Sequence, residues 1–500
     1  MTFLSQVYGW LLLSAVGLFW LLPGRSARWG VVLGASLVFY GLRQPLYVPL
    51  LLGGVALNYG LGGLLRSDGR AVRHYVGGPD PALRKRRRKQ LLWLGISLNL
   101  LLLFGFKYVP FALNSLGWAI QSPALLDTAN WVDRIEAPLG ISFFCFECIA
   151  YLVDVYRGAP PARDWLKFCT YKLFFPKLIS GPIVRYHVLA GQLDELDQPR
   201  WPRSEQITEG LWLIACGAIK KGLLADSLGL WVRTIFGAGT LERAGSVDLW
   251  LAIGAYGFQL YLDFSGYVDI ARGSALLMGI QLPQNFDFPY LSTSIADFWR
   301  RWHITLGDWL RNYLYIPLGG SRQGLVRTCG NLMIVMVLGG LWHGDNWGYV
   351  IWGGAHGLAL AVHRLVDAAS RRFSWLETLW AHPAGIGLSW GLTQLMVFLS
   401  WVWIRLPDWS QSSVVFQHLW GRSTDVYFLE KVYDETLGLD PWRLGAVLGA
   451  IGVLMLVAWF GQRGLRLQLT QPVKIALVPI CLYLVWIFGP EGVPFIYFDF

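Results

Sequence analysis

Three histidines stand where a histidine is costly. His303 lies in FWRRWHITLGDWL, His343 in GGLWHG and His356 in WGGAHG, each among tryptophan and glycine. An imidazole placed in hydrocarbon loses solvation unless a partner compensates it. Ionisable groups inside a membrane are therefore functional candidates by default. The chemistry on offer is general base catalysis, in which neutral imidazole takes a proton from a hydroxyl within hydrogen-bond reach. The other five, His74, His187, His363, His382 and His418, fall in or near expected loops or segment ends, where a polar side chain costs little.

Spacing separates His343 from His356. In one continuous helix the two would lie about 20 Å apart along the axis, at about 1.5 Å per residue, and on different faces. Gly339, Gly340 and Gly344 instead put His343 at the end of a segment, where the chain can bend and present an imidazole to a cavity. His343 is the expected catalyst and His356 the expected support.

Acids in apolar runs are the second unusual feature. Asp263 and Asp269 lie in YLDFSGYVDIARG (261–273), and Glu147 in PLGISFFCFECIAYLVDVYRG (138–158). Two readings stay open for them: ion pairs with Arg272, Arg157 or Lys172 that hold helices together, or the lining of an interior cavity that orients a catalytic imidazole. The six cysteines mostly lie inside apolar segments. Cys145 and Cys148 form a CxxC, but no second pair completes a zinc site, and small apolar side chains in buried helices account for them.

The common catalytic signatures are missing: no GxSxG elbow, and no HExxH, Walker loop or dinucleotide fingerprint. What remains suits a reaction that needs one base and an already activated donor. Acyl transfer from a thioester to a hydroxyl is such a reaction, since it needs no protein nucleophile.

The elements that must position these residues are helices in a bilayer. Only 15% of the 500 residues are charged and 54% are hydrophobic, with a mean hydropathy of +0.43. A soluble domain carries roughly 25% charged residues, so one polytopic membrane domain over 1–500 is expected. Crossing a bilayer takes about 20 apolar residues. Runs near 4–22, 29–41, 45–65, 91–109, 138–156, 167–189, 207–236, 248–280, 329–343, 347–366, 385–406, 441–461 and 473–489 supply about 10–12 membrane-embedded segments, several of them short or broken. PLGISFF (138–144), FFPKLISGPIVRY (174–186) and NLMIVMVLGGLWHG (331–344) carry the breaks. Irregular backbone at membrane depth is tolerated only where protein buries it or it lines a wet cavity, which suggests an internal tunnel.

The net charge of +10 is concentrated. RKRRRK (84–89), with Arg66, Arg70 and Arg73 upstream, sits between two apolar segments and reads as a cytoplasmic loop rather than a nucleic-acid arm. Counting back puts Arg25 and Arg28 inside and the N-terminus outside. The first apolar run reads as a retained span rather than a signal peptide. The stretch 281–328 is amphipathic and basic, with Arg300, Arg301, Arg311, Arg322 and Arg327. From Ser294 to Leu314 its apolar residues recur at helical spacing, predicting one helix capped by Ser294 at the cytoplasmic interface.

PLGISFFCFECIAYLVDVYRG, FFPKLISGPIVRY, DFSGYVDIARG, FWRRWHITLGDWLRNYLYIPLGG and GGLWHGDNWGYVIWGGAHG follow one another over 138–357. In content and order they resemble membrane-bound O-acyltransferases, most of all the bacterial branch that acetylates alginate and cellulose. SWVWIRLPD (400–408) and VPFIYFDF (493–500) resemble that branch too. The resemblance implies an all-α bowl of about 10–12 transmembrane or re-entrant helices around a central tunnel, with 138–357 as catalytic core. It implies His343 as base, His303 as the second catalytic group, and His356 and Asp269 as supports. Arg300, Arg301, Trp302, Arg311, Trp342, Asp263 and Glu147 would face substrate. The implied donor is acetyl-CoA, with no bound cofactor or metal. The implied partners are a periplasmic acetyltransferase and an exopolysaccharide synthesis or export complex in the bacterial inner membrane.

There are departures from the family pattern. Members often carry Thr and Gln where this chain has Cys145 and Glu147, and serines where it has Thr305 and Gly307. Rival readings are D-alanyl transfer toward teichoic acid, a proton-coupled transporter, and a scaffold for polymer export.

Overall fold

The protein is described by a computed structural model over residues 3–66, 81–195, 201–490 and 495. Arg70, Arg73 and His74, and all of VPFIYFDF except Phe495, lie outside the described residues. Among the described residues every regular element is helical.

Six of the described helices are long and apolar enough to cross a bilayer: Pro45–Leu64, Ala82–Lys107, Leu325–His343, Pro383–Arg405, Pro441–Gly464 and Gln471–Phe488. Gln6–Leu21 is apolar but shorter. Their outward side chains include Leu454, Val457 and Trp486, all exposed, as lipid rather than water requires. Other expected segments are broken. The run at 167–189 is helix Trp165–Leu173, an irregular stretch, then helix Tyr186–Glu195. The run at 207–236 is helix Ser204–Ala218, a π-helical turn Ile219–Ala225 and helix Asp226–Ile235.

The chain divides into two compact units, one of Met1–Leu211 with Ile270–Pro283 and the other of Trp212–Asp269 with Gln284–Phe500. In the first, Asn58 and Asn99 join helices by reciprocal amide bonds of 3.3 and 2.9 Å, the polar glue that helices use where hydrocarbon surrounds them. The irregular stretch 174–185 is buried except at Arg185. Its backbone groups find side-chain partners: Phe175 N donates to Ser36 Oγ (3.0 Å), Tyr171 donates to Val184 O (2.9 Å), and Val184 N donates to Glu147 Oε1 (3.2 Å). Gly140 starts helix Ile141–Tyr156 in the left-handed region, at φ +73°. A Cβ there would lie 2.7 Å from Leu178 O, so conformation and space both require glycine.

Helix Ser246–Leu277 runs 32 residues, and the part of it in the second unit carries both acids of DFSGYVDIARG. Helices Leu325–His343 and Trp347–Ser370 form a hairpin packed backbone to backbone. A Cβ on Gly340 would come within 2.2 Å of Tyr349 O. Glycine therefore sets the distance between these two helices, and with it the placement of His343 at the end of the first and His356 within the second.

Candidate active site

His343 is the last residue of its helix, and Gly344 leaves in extended geometry at φ −168°, ψ 169°. Asn346 then caps the next helix, its side chain accepting from Gly348 N at 3.3 Å. The chain turns back on itself instead of continuing. The long axial separation of His343 and His356, which one continuous helix would impose, is replaced by proximity. The rings of His343 and His356 both contact the buried Trp352 indole, with centroids 5.0 and 4.7 Å from it. His343 also packs edge-on to Trp342, at 4.9 Å and 79°, and is 5% exposed. Trp352 Nε1 has no hydrogen bond among the described residues.

His356 is fully buried, and both ring nitrogens are engaged. Nδ1 accepts from Trp299 Nε1 at 3.2 Å, and Nε2 lies 2.9 Å from Ser400 Oγ. Ser400 spends its own proton on Val397 O at 2.7 Å. The ring must therefore be the neutral tautomer that carries its proton on Nε2 and donates it to Ser400.

His303 interrupts the helix that the Ser294–Leu314 pattern predicts. Ser294 does cap its start, accepting from Asp297 N at 3.1 Å. The helix stops at Arg301, and a second helix, Ile304–Leu310, begins after a break. Trp302 is extended, and His303 is left-handed at φ 44°, ψ 53°. The reason lies on the preceding loop. Buried Asn285 accepts from Ile304 N through its carbonyl, and from Thr305 N and Oγ1 through its side chain, all at 3.0 Å. Those acceptors satisfy first-turn donors of a new helix and outweigh about 1–2 kcal/mol of left-handed strain at a residue with a Cβ. His303 is fully buried, edge-on to Phe264 (4.9 Å) and Trp342 (5.9 Å). Trp342 thus lies between His303 and His343.

The expected donor-facing arginines are placed less uniformly. Arg301 Nε pairs with Asp297 at 2.8 Å, and exposed Arg300 reaches the same carboxylate at 3.5 Å. Arg311 is exposed at the start of the π-helical turn Arg311–Tyr315. Trp302 is buried against Trp401 (4.9 Å) and Phe298 (5.6 Å).

The three acids are all in ion pairs. Asp263 lies 3.0 Å from Lys221 Nζ, which also binds Asp226, and Asp269 lies 2.5 Å from Lys220. The two lysines come from the π-helical turn, where the widened backbone lets neighbours in sequence reach two acids on one helix. Glu147 belongs to the first unit and binds Lys172 (3.1 Å) and Lys177 (2.6 Å). The Lys172 partner is among those the sequence offers for these acids. Lys177, Lys220 and Lys221 are not, although the doublet in ACGAIKKGLLA is as unusual in an apolar run as the acids it meets. Trp299, Trp352 and Ser400 are further site residues with no local signal, since aromatic residues are frequent throughout. Among the described residues no cluster of His, Cys, Asp and Glu could hold a metal.

A many-helix protein with buried imidazoles on a glycine-packed hairpin is a multi-pass membrane protein with a candidate acid–base site. Comparison with known proteins makes the class specific. The family description of membrane-bound O-acyltransferases matches residues 143–399. A protein of Pseudomonas syringae pv. tomato named "Probable alginate O-acetylase AlgI" is 38% identical over 475 residues, covering 93% of this chain and 82% of that one. The peptidoglycan O-acetyltransferase of Helicobacter pylori is 32% identical over 93% of this chain and 90% of its own. The teichoic acid D-alanyltransferase of Streptococcus thermophilus is 30% identical, over 47% of this chain and 59% of its own. The chain belongs to the membrane-bound O-acyltransferase family and is a multi-pass membrane O-acyltransferase.

Proposed function

We propose that this enzyme moves an acetyl group from a cytoplasmic thioester, acetyl-CoA, across the inner membrane for O-acetylation of an extracellular polysaccharide, alginate- or cellulose-like. The observation that carries this reading is His343 at the break of its helix, edge-on between the indoles of Trp342 and Trp352. In the reaction, the neutral imidazole of His343 takes the proton of the acceptor hydroxyl as its oxygen attacks the thioester carbon. The C–O bond forms, the C–S bond breaks, and the leaving thiolate takes the proton from the imidazolium. His303, held rigid in its left-handed cap, orients or assists, and His356 keeps Trp352 in place beside the base.

The acceptor is a hydroxyl of the polymer or of a periplasmic acetyltransferase that completes the transfer within an exopolysaccharide complex. The names of the relatives at 38% and 32% identity support acetyl transfer to a polysaccharide. The D-alanyl relative matches less than half of this chain. Replacing His343 with Ala in a producing strain, with membrane abundance measured alongside, tests the base. Polymer acetate is expected to fall at least about a hundredfold, and unchanged acetate at normal abundance sinks the assignment.

A further inference from the structure

The first unit holds a half-open cavity of about 530 Å³. Arg25, Arg163, Lys167, His187, Trp29 and Tyr186 line it, together with two acids, Asp164 and Asp194. Both acids are committed. Asp164 accepts from Lys167 N at 3.0 Å, capping helix Trp165–Leu173, and Asp194 holds Lys167 Nζ at 2.6 Å. The cavity is left rich in donors. An ammonium carries three N–H groups, so Lys167 retains two after Asp194 takes one. The Arg163 guanidinium makes no ion pair among the described residues, its residue being bonded instead through its carbonyl, which accepts from Tyr59 at 3.0 Å. Among the described residues, Trp29 Nε1 and His187 Nε2 are buried without a hydrogen-bond partner.

We propose that this cavity is a phosphate-binding site. A phosphate offers only acceptors and negative charge, which matches two arginines and a half-used ammonium. The aromatic walls of Trp29 and Tyr186, with Arg25 over the Trp29 ring at 5.7 Å, fit a phosphate attached to an apolar or planar body. The second cavity of this unit, about 610 Å³, has the opposite balance. Glu195, Glu205 and Glu209 face only Arg28 and Arg203 there, so it repels the same ligand. The phosphate could come from an anionic lipid headgroup at the membrane surface or from a soluble nucleotide. The site is independent of the role given to His343.

The test uses the full-length protein in detergent, with phosphatidylglycerol and adenosine bisphosphate as separate probes and native mass spectrometry as readout. Saturable binding of at least one probe is expected. Arg163→Ala should weaken it about tenfold. Lys167→Gln, which removes the ammonium charge and keeps a polar side chain, should weaken it several-fold, while Arg203→Ala in the other cavity leaves it unchanged. Binding of the lipid alone names a headgroup site, and binding of the nucleotide alone names a soluble ligand. Either result supports the proposal, provided Arg163→Ala melts at the wild-type temperature without ligand. Failure of both probes to saturate, or equal affinity in all three variants, overturns it.

Discussion

The three histidines of the site differ in what surrounds their nitrogens. His356 has a donor on one nitrogen and an acceptor on the other, so its tautomer is set. Ser400→Ala leaves a buried N–H unmet, which costs about 1–3 kcal/mol. We expect the variant to melt lower while activity per folded molecule changes only a few-fold, as read from paired melting and acetylation assays. His303 lies outside the six apolar spanning helices, and burial pushes its imidazole down to about 3 from 6.5. It therefore stays neutral through the working range. In the unfolded chain it takes a proton below 6.5, so its contribution to stability is full above that pH and is lost as pH falls toward 3. Acidifying from about 8 to about 5 should lower the melting temperature of the wild type more than that of His303→Asn. Glu147 is held as a carboxylate by a pair of buried lysines, Lys172 and Lys177. Glu147→Gln leaves two ammonium groups without their counter-charge and should cost about 3–5 kcal/mol, seen as loss of folded protein in the membrane.

The break between helices Ile295–Arg301 and Ile304–Leu310 decides where His303 points. Periodicity over 294–314 reads as one helix because the apolar spacing stays in phase across the break. The interruption comes from Asn285, a residue remote in sequence, whose acceptors draw the Ile304 and Thr305 amides into a new first turn. Asn tolerates the left-handed region and β-branched residues do not. His303→Asn should accumulate at near wild-type levels and lose activity, while His303→Val should lose accumulation as well. Equal accumulation of the two would show that the backbone at 303 is not constrained. The hairpin of Leu325–His343 and Trp347–Ser370 rests on Gly340 in the same way. Gly340→Ala must push the helices apart, because the new methyl meets a carbonyl at 2.2 Å. It should lower acetylation more than Gly354→Ala, whose Cβ meets nothing within 4 Å.

At the scale of the whole molecule, the cluster Arg84–Lys89 is expected to face the cytoplasm. With Arg86→Cys, an impermeant maleimide should label only after cells are opened; labelling of intact cells would invert the topology. The membrane class, the all-helical architecture, the broken segments and the family were legible in the sequence, because composition, apolar run length and ordered motifs are local properties. The three histidines and three acids were legible as candidates, since a titratable group in an apolar run is conspicuous wherever it sits. Which of them meet was not. Lys220 and Lys221 reach Asp269 and Asp263 only because a π-helical turn faces that helix. Lys177 reaches Glu147 only because an irregular buried stretch folds over it. His343 and His356 share one indole only because glycine lets two helix backbones touch. The sequence by itself determined the solvent, the helical class and the kinds of chemistry available. Tertiary structure decided the partners, because a hydrogen bond or ion pair depends on ångström distances between segments that no local pattern encodes.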